Sequence, residues 1–75
     1  MFLWKFQTRR STFTIERRND LWHACCEGES LGVYDSPETA LDELVSGCTR
    51  LPSNDVEPST CGLPIDLSGW ELVPT

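Results

Sequence analysis

The side chains best suited to chemistry in this chain are four cysteines, Cys25, Cys26, Cys48 and Cys61, and a single histidine, His23. His23, Cys25 and Glu27 fall at alternate positions, so on an extended strand they share one face. A cysteine beside a histidine is the minimum for an activated thiolate nucleophile. Residues two apart on a strand lie roughly 7 Å apart with their side chains parallel, which keeps imidazole and thiol from a direct hydrogen bond. The spacing favours a half-exposed thiol beside a solvated histidine, and the chain reads as non-enzymatic.

Zinc is the other use of such residues, but structural zinc sites draw ligands from close pairs such as C-x-x-C. Cys25 and Cys26 are adjacent and point to opposite faces, while Cys48 and Cys61 stand singly further on. A cluster of Cys26, Cys48 and Cys61 is the nearest approach to a site; separate thiols are expected, with no metal and no cofactor. Residues 1–7 lack the apolar run of roughly 7 to 15 residues and the small-residue cleavage site of a secretory signal. A cytoplasmic location with reduced cysteines follows as the expectation.

Basic residues are the third candidate chemistry. Lys5, Arg9, Arg10, Arg17 and Arg18 oppose only Glu16 in the first 18 residues, a balance of +4, whereas Arg50 alone faces eleven carboxylates from Asn19 onward, a balance of −10. The total of −6 opposes attraction to polyphosphates and anionic membranes. Arg9, Arg10, Arg17 and Arg18 offer at most about four phosphate contacts. Nucleic-acid binding through this arginine-rich hairpin is therefore the alternative reading, with weak and unspecific affinity expected.

The elements that must position these groups are legible. Seventy-five residues make one domain, 1–75, and a 39% apolar content is too high for disorder and too interrupted for a membrane span. Phe2-Leu3-Trp4-Lys5-Phe6 alternates as a strand with its aromatics on one face, and Thr12-Phe13-Thr14-Ile15-Glu16 repeats the pattern with Phe13 and Ile15 inward. Asn19-Asp20 suits a tight turn into Leu21–Glu27, whose less polar face carries Trp22, Ala24 and Cys26, so Cys26 is expected inside and Cys25 outside. Leu31 and Val33 of the next strand are expected to share that core.

Asp35-Ser36-Pro37-Glu38 is a helix start, with Ser36 as cap, Pro37 in the first turn and Gly47 closing in a left-handed conformation. Ala40, Leu41, Leu44 and Val45 form its single apolar stripe. The reading is an α+β domain: an antiparallel meander of three to four strands with one α-helix packed on it, over about residues 1–47. A long irregular C-terminal tail, about 48–75, wraps it, with Leu63–Leu67 extended and Gly69–Val73 as a possible final edge strand.

Leu31-Gly32-Val33-Tyr34-Asp35-Ser36-Pro37-Glu38-Thr39-Ala40 resembles the strand-to-helix junction of small β-β-β-α modules, among them plant-type DNA-binding domains and the arm-type domains of tyrosine recombinases. With Ser11–Ile15 and the closing Asp66–Glu71, the whole chain resembles a group of small uncharacterised bacterial proteins. That resemblance implies the frame and no activity.

One sheet covered by one helix leaves apolar surface over. Phe2, Trp4, Phe6 and Trp70 are the candidate partner-binding residues, because the first strand carries three aromatics on what reads as a sheet edge guarded only by Lys5. The expected function is a small interaction module that binds a protein partner or a second copy of itself, as a homodimer, through this aromatic face or a free edge.

Overall fold

The computed structural model describes residues 2–74. Alternating sequence and turn chemistry fold the first half of the chain into four successive antiparallel strands: β1 (Phe2–Gln7), β2 (Thr12–Arg18), β3 (Leu21–Cys26) and β4 (Glu29–Tyr34). Asn19 and Asp20 take φ values of 53° and 67°, and Glu27 and Gly28 take 52° and 83°. Two-residue hairpin turns need this left-handed geometry. Glu27, which has no intrinsic preference for it, is held there by its carboxylate accepting the Thr12 N–H at 2.7 Å.

The helix α1 (Pro37–Ser46) begins where its caps predict: the Ser36 hydroxyl accepts the Thr39 N–H at 3.2 Å, and Gly47 closes the helix at φ 80°. Its buried residues Ala40, Leu41 and Leu44 join Phe13 and Ile15 of β2, Ala24 and Cys26 of β3, and Leu31 of β4 in one core. Val45 packs against that core from its margin. Among the described residues no helix is long and apolar enough to cross a membrane.

A fifth strand, β5 (Glu71–Pro74), pairs antiparallel with β1, so the sheet has five strands in the order β4-β3-β2-β1-β5. The α+β class stands, and the expected three or four strands become five. β1 is accordingly not an edge. Its outer row of backbone groups is satisfied by the chain's own end, a pairing between distant residues that local pattern does not specify.

The segment between α1 and β5 is an ordered wrap with two short 3₁₀ turns, Pro58–Thr60 and Leu67–Gly69; Leu63–Leu67 makes no strand. Val56, Leu63 and Trp70 are buried in the same cluster as the helix and sheet residues. Polar ties fix the path: the Asn54 amide donates to Ser11 Oγ at 2.8 Å, and the Trp70 indole N–H donates to the Pro64 carbonyl at 3.1 Å.

Two expected placements are corrected. Ala24 pairs with Gly32 but Cys25 pairs with Ser30, so Leu31 is an extra, bulged residue. The bulge turns Leu31 into the core and leaves Val33 50% exposed on the other face, although the two are two residues apart. Cys25, expected outside, is fully buried like Cys26.

Candidate functional site

Cys25 explains its own burial once its neighbours are in place. It lies on the sheet face away from α1, paired across from Thr14. Glu16 accepts from the Thr14 hydroxyl at 3.1 Å and from the Arg18 guanidinium at 3.1 Å, and Arg18 reaches on to the Gly28 carbonyl at 3.3 Å. These side chains roof the thiol. Burial, followed by its hydrogen bond to the Glu16 carboxylate and that group's charge, pushes the Cys25 thiol up to about 12. Burial alone would also raise Glu16, but hydrogen bonds from Cys25, Arg18 and Thr14 together with the Arg18 charge outweigh it and hold the carboxyl below its ordinary range.

The His23, Cys25 and Glu27 array thus does not assemble. His23 Nδ1 shares a hydrogen bond with Ser30 Oγ at 2.8 Å, Cys25 is engaged with Glu16, and Glu27 is occupied in its turn. A thiol that ionises only near 12 is a poor nucleophile at neutral pH. Cys26 lies in the core on the opposite face of β3, Cys48 is exposed and Cys61 half-buried. Among the described residues no group of three His, Cys, Asp or Glu side chains converges as metal ligands would.

Nor are the four arginines brought together. Arg9 and Arg10 occupy the connection between β1 and β2; Arg17 and Arg18 close the far end of β2. Arg17 pairs with Asp20 and Arg18 with Glu16, each at 3.1 Å. Adjacent residues on a strand point to opposite faces, so this second pair is also divided by the sheet.

The aromatics are a different matter. β1 sends Phe2, Trp4 and Phe6 to the helix-bearing face, and the register sets Trp4 opposite Ile15 and Phe6 opposite Phe13. At one end Phe6 is covered by Trp70, with ring centroids 5.7 Å apart. Trp70 is itself 6% exposed, a core residue rather than a surface one. At the other end, among the described residues, neither helix nor tail closes over the sheet: Phe2 is 45% exposed and Leu72, which pairs with Trp4 from β5, is 57% exposed.

Here three rings form a continuous row. Phe2 meets Trp4 edge to face at 5.2 Å, and Trp4 meets Trp22 at 5.5 Å and 50°. Strands one apart from a shared neighbour stand about 10 Å from each other, so the two indoles lean toward one another over β2. Trp4 and Trp22 are half-buried and pack against the core. The row is therefore rigid below and open above. Of the residues expected to bind a partner, Phe2 and Trp4 lie in it, whereas Phe6 is capped and Trp70 is internal. Trp22 and Leu72 complete it beyond what the sequence pattern specifies: alternation gives Trp22 only a core-side face, and Leu72 joins through a long-range strand pairing.

The chain matches no protein-family model, no curated protein and no solved structure.

Proposed function

We propose that this protein is a non-enzymatic interaction module that binds a protein partner through the row of Phe2, Trp4 and Trp22 flanked by Leu72. The observation that carries this reading is the grouping of exposed Phe2 and Leu72 with indoles that pack against the core. Large, rigid aromatic groups gain contact area with little entropy loss, which is why they dominate interface energetics. A net charge of −6 favours a partner whose own patch is apolar or basic over a polyanion.

The sheet's face supports the reading better than its edges do. Along β4, Arg50 donates its backbone N–H to the Leu31 carbonyl at 3.0 Å and its guanidinium to the Ser30 carbonyl at 2.7 Å, while Ser53 binds Glu29. β5 is four residues long and ends in Pro74. Both edges are thereby blunted against strand addition. The four arginines lie at opposite ends of β2, and two of them, Arg17 and Arg18, are held in ion pairs, which makes nucleic-acid binding the weaker alternative. We place the protein in a reducing compartment, the cytoplasm, a setting that suits the buried thiols Cys25 and Cys26 on opposite faces of one strand.

The test is a double substitution, Phe2→Glu with Leu72→Glu, at exposed positions where the fold has little at stake. The parent should either self-associate in sedimentation or crosslink a specific partner, burying on the order of 1,000 Å²; the double variant should lose this while keeping its urea midpoint. A monomeric parent whose crosslinked partners are all retained by the double variant overturns the reading.

A further inference from the structure

Six cations stand among twelve carboxylates in this chain, so an arginine without an acidic neighbour is an exception. Arg17 and Arg18 are ion-paired, Arg50 binds the Ser30 carbonyl and acts on Glu29, and Lys5 lies opposite Glu71 in the β1–β5 register. Arg9 and Arg10 make no ion pair among the described residues. They follow one another in the β1–β2 connection, and both line an open cleft of about 370 Å³ completed by Thr8, Thr60 and Cys61. No carboxylate is among these lining residues.

Both walls are fixed. Thr8 Oγ1 accepts the backbone N–H groups of Arg10 and Ser11 at 3.1 and 3.0 Å, and the Thr8 N–H donates to the Ser11 carbonyl at 2.9 Å. Buried Ser11 is in turn tied to Asn54. On the facing wall the Thr60 hydroxyl and N–H both donate to the Glu57 carbonyl, at 2.8 and 3.0 Å, and the Cys61 thiol donates there too. The hydroxyls are thus engaged with backbone, whereas among the described residues neither guanidinium has a hydrogen-bond or ion-pair partner.

We infer that this cleft binds a phosphate monoester. Two guanidinium forks supply planar sets of N–H donors that match a tetrahedral oxyanion, and they place two positive charges on one group. A carboxylate offers one charge and two oxygens; a monoester offers about −1.5 to −2 and three oxygens, enough to engage both arginines. The acidic body does not prevent this, because at physiological salt its charges are screened beyond about 8 Å. It does oppose a polynucleotide, which needs a longer run of cations than two neighbouring side chains provide. The cleft lies at the opposite end of β1 from the aromatic row, so the site stands or falls independently of the proposed function.

The experiment is an amide NMR titration at constant ionic strength with a phosphoserine peptide, adenosine 5′-monophosphate, inorganic phosphate and acetate. Saturable shifts are expected at residues 8–11 and 60–62 with the phosphate compounds and not with acetate. Arg9→Ala with Arg10→Ala should weaken binding at least about tenfold, and Arg17→Ala with Arg18→Ala by less than about twofold. Binding should also weaken from pH 7.5 to 5, as the second phosphate ionisation near pH 6 reverses. In a Cys48→Ser background the monoester should slow alkylation of Cys61, an occupancy readout that does not depend on the arginine variants. Tightest binding of the peptide, the nucleotide or inorganic phosphate would support the site and assign its source to a phosphorylated protein segment, a small metabolite or the free ion. No saturable shift up to about 10 mM, an equal response to acetate, or an equal loss in the Arg17 and Arg18 variant overturns it.

Discussion

Cys25 shows how far a single side chain's properties depend on what lies over it. Its thiol is buried beneath Thr14, Glu16 and Arg18 on a sheet face that no helix covers, and it is held protonated up to about 12 against an ordinary 9. Native protein should therefore resist alkylation at Cys25 while Cys48 reacts; rapid modification of Cys25 without unfolding would refute the roof described above. The linkage has a sign. An unfolded Cys25 releases its proton from about pH 9 while the folded one keeps it to about 12, so the unfolded state binds fewer protons and stability falls with rising pH across that window. Urea midpoints at pH 8 and 10 should show this fall, and Cys25→Ala should flatten it. Glu16 acts at the other end of the scale: its lowered folded value makes a contribution present above the ordinary 4.5 and lost as pH falls through the folded value. Glu16→Gln should make the acid limb of the stability profile shallower.

At the scale of the element, α1 is specified twice, by its caps and by its stripe. Ser36 satisfies the Thr39 amide and Gly47 takes the left-handed close, while Leu44 is fully buried at the centre of the core. Ser36→Ala should cost about 1 kcal/mol. Leu44→Ala should cost about 2 to 5 kcal/mol, because it removes buried methyl groups and leaves a cavity between helix and sheet. Urea denaturation measures both, and a Leu44→Ala protein as stable as the parent would mean that α1 docks by another face. β4 is specified less strongly. Its bulge at Leu31 reverses the side-chain parity within one strand, and Gly32 lies under the Tyr34 ring, where an added Cβ would collide. Gly32→Ala should accordingly destabilise the fold by forcing Tyr34 out of place, visible as a lowered urea midpoint.

At the scale of the whole molecule, the C-terminal third is structural. Val56, Leu63 and Trp70 complete the core that α1 and the sheet begin, and β5 closes the outer side of β1. A small domain has little apolar area to spare, so a chain ending at Gly47 should fail to fold cooperatively. Circular dichroism melts of residues 1–47 test this; a native-like sigmoidal transition would show that the tail is dispensable. The same packing changes how the aromatic row must be probed. Trp4 is both a member of the row and a support of the core, so Trp4→Lys should lower stability as well as association. Phe2 and Leu72, exposed at its rim, separate the two effects.

By itself the sequence determined what depends on neighbours a few residues apart. Hairpin turns at Asn19-Asp20, the inward face of Phe13 and Ile15, and the cap, stripe and stop of α1 all follow from local alternation, side-chain capping and left-handed turn preference, and the structure holds them where that reasoning puts them. Only the tertiary structure decided the burial of Cys25, the split between Leu31 and Val33, the position of β1 inside the sheet and the placement of Trp70 in the core. Each of these rests on a partner far along the chain or on a one-residue slip in register. Period-two patterns fix which residues share a face while a strand is regular, but they carry no information about a bulge that reverses the face or about which distant strand will pair with an open edge. The candidate row was legible through Phe2 and Trp4 for the same reason, and its completion by Trp22 and Leu72 was not, because rings on different strands meet only after the sheet has ordered them.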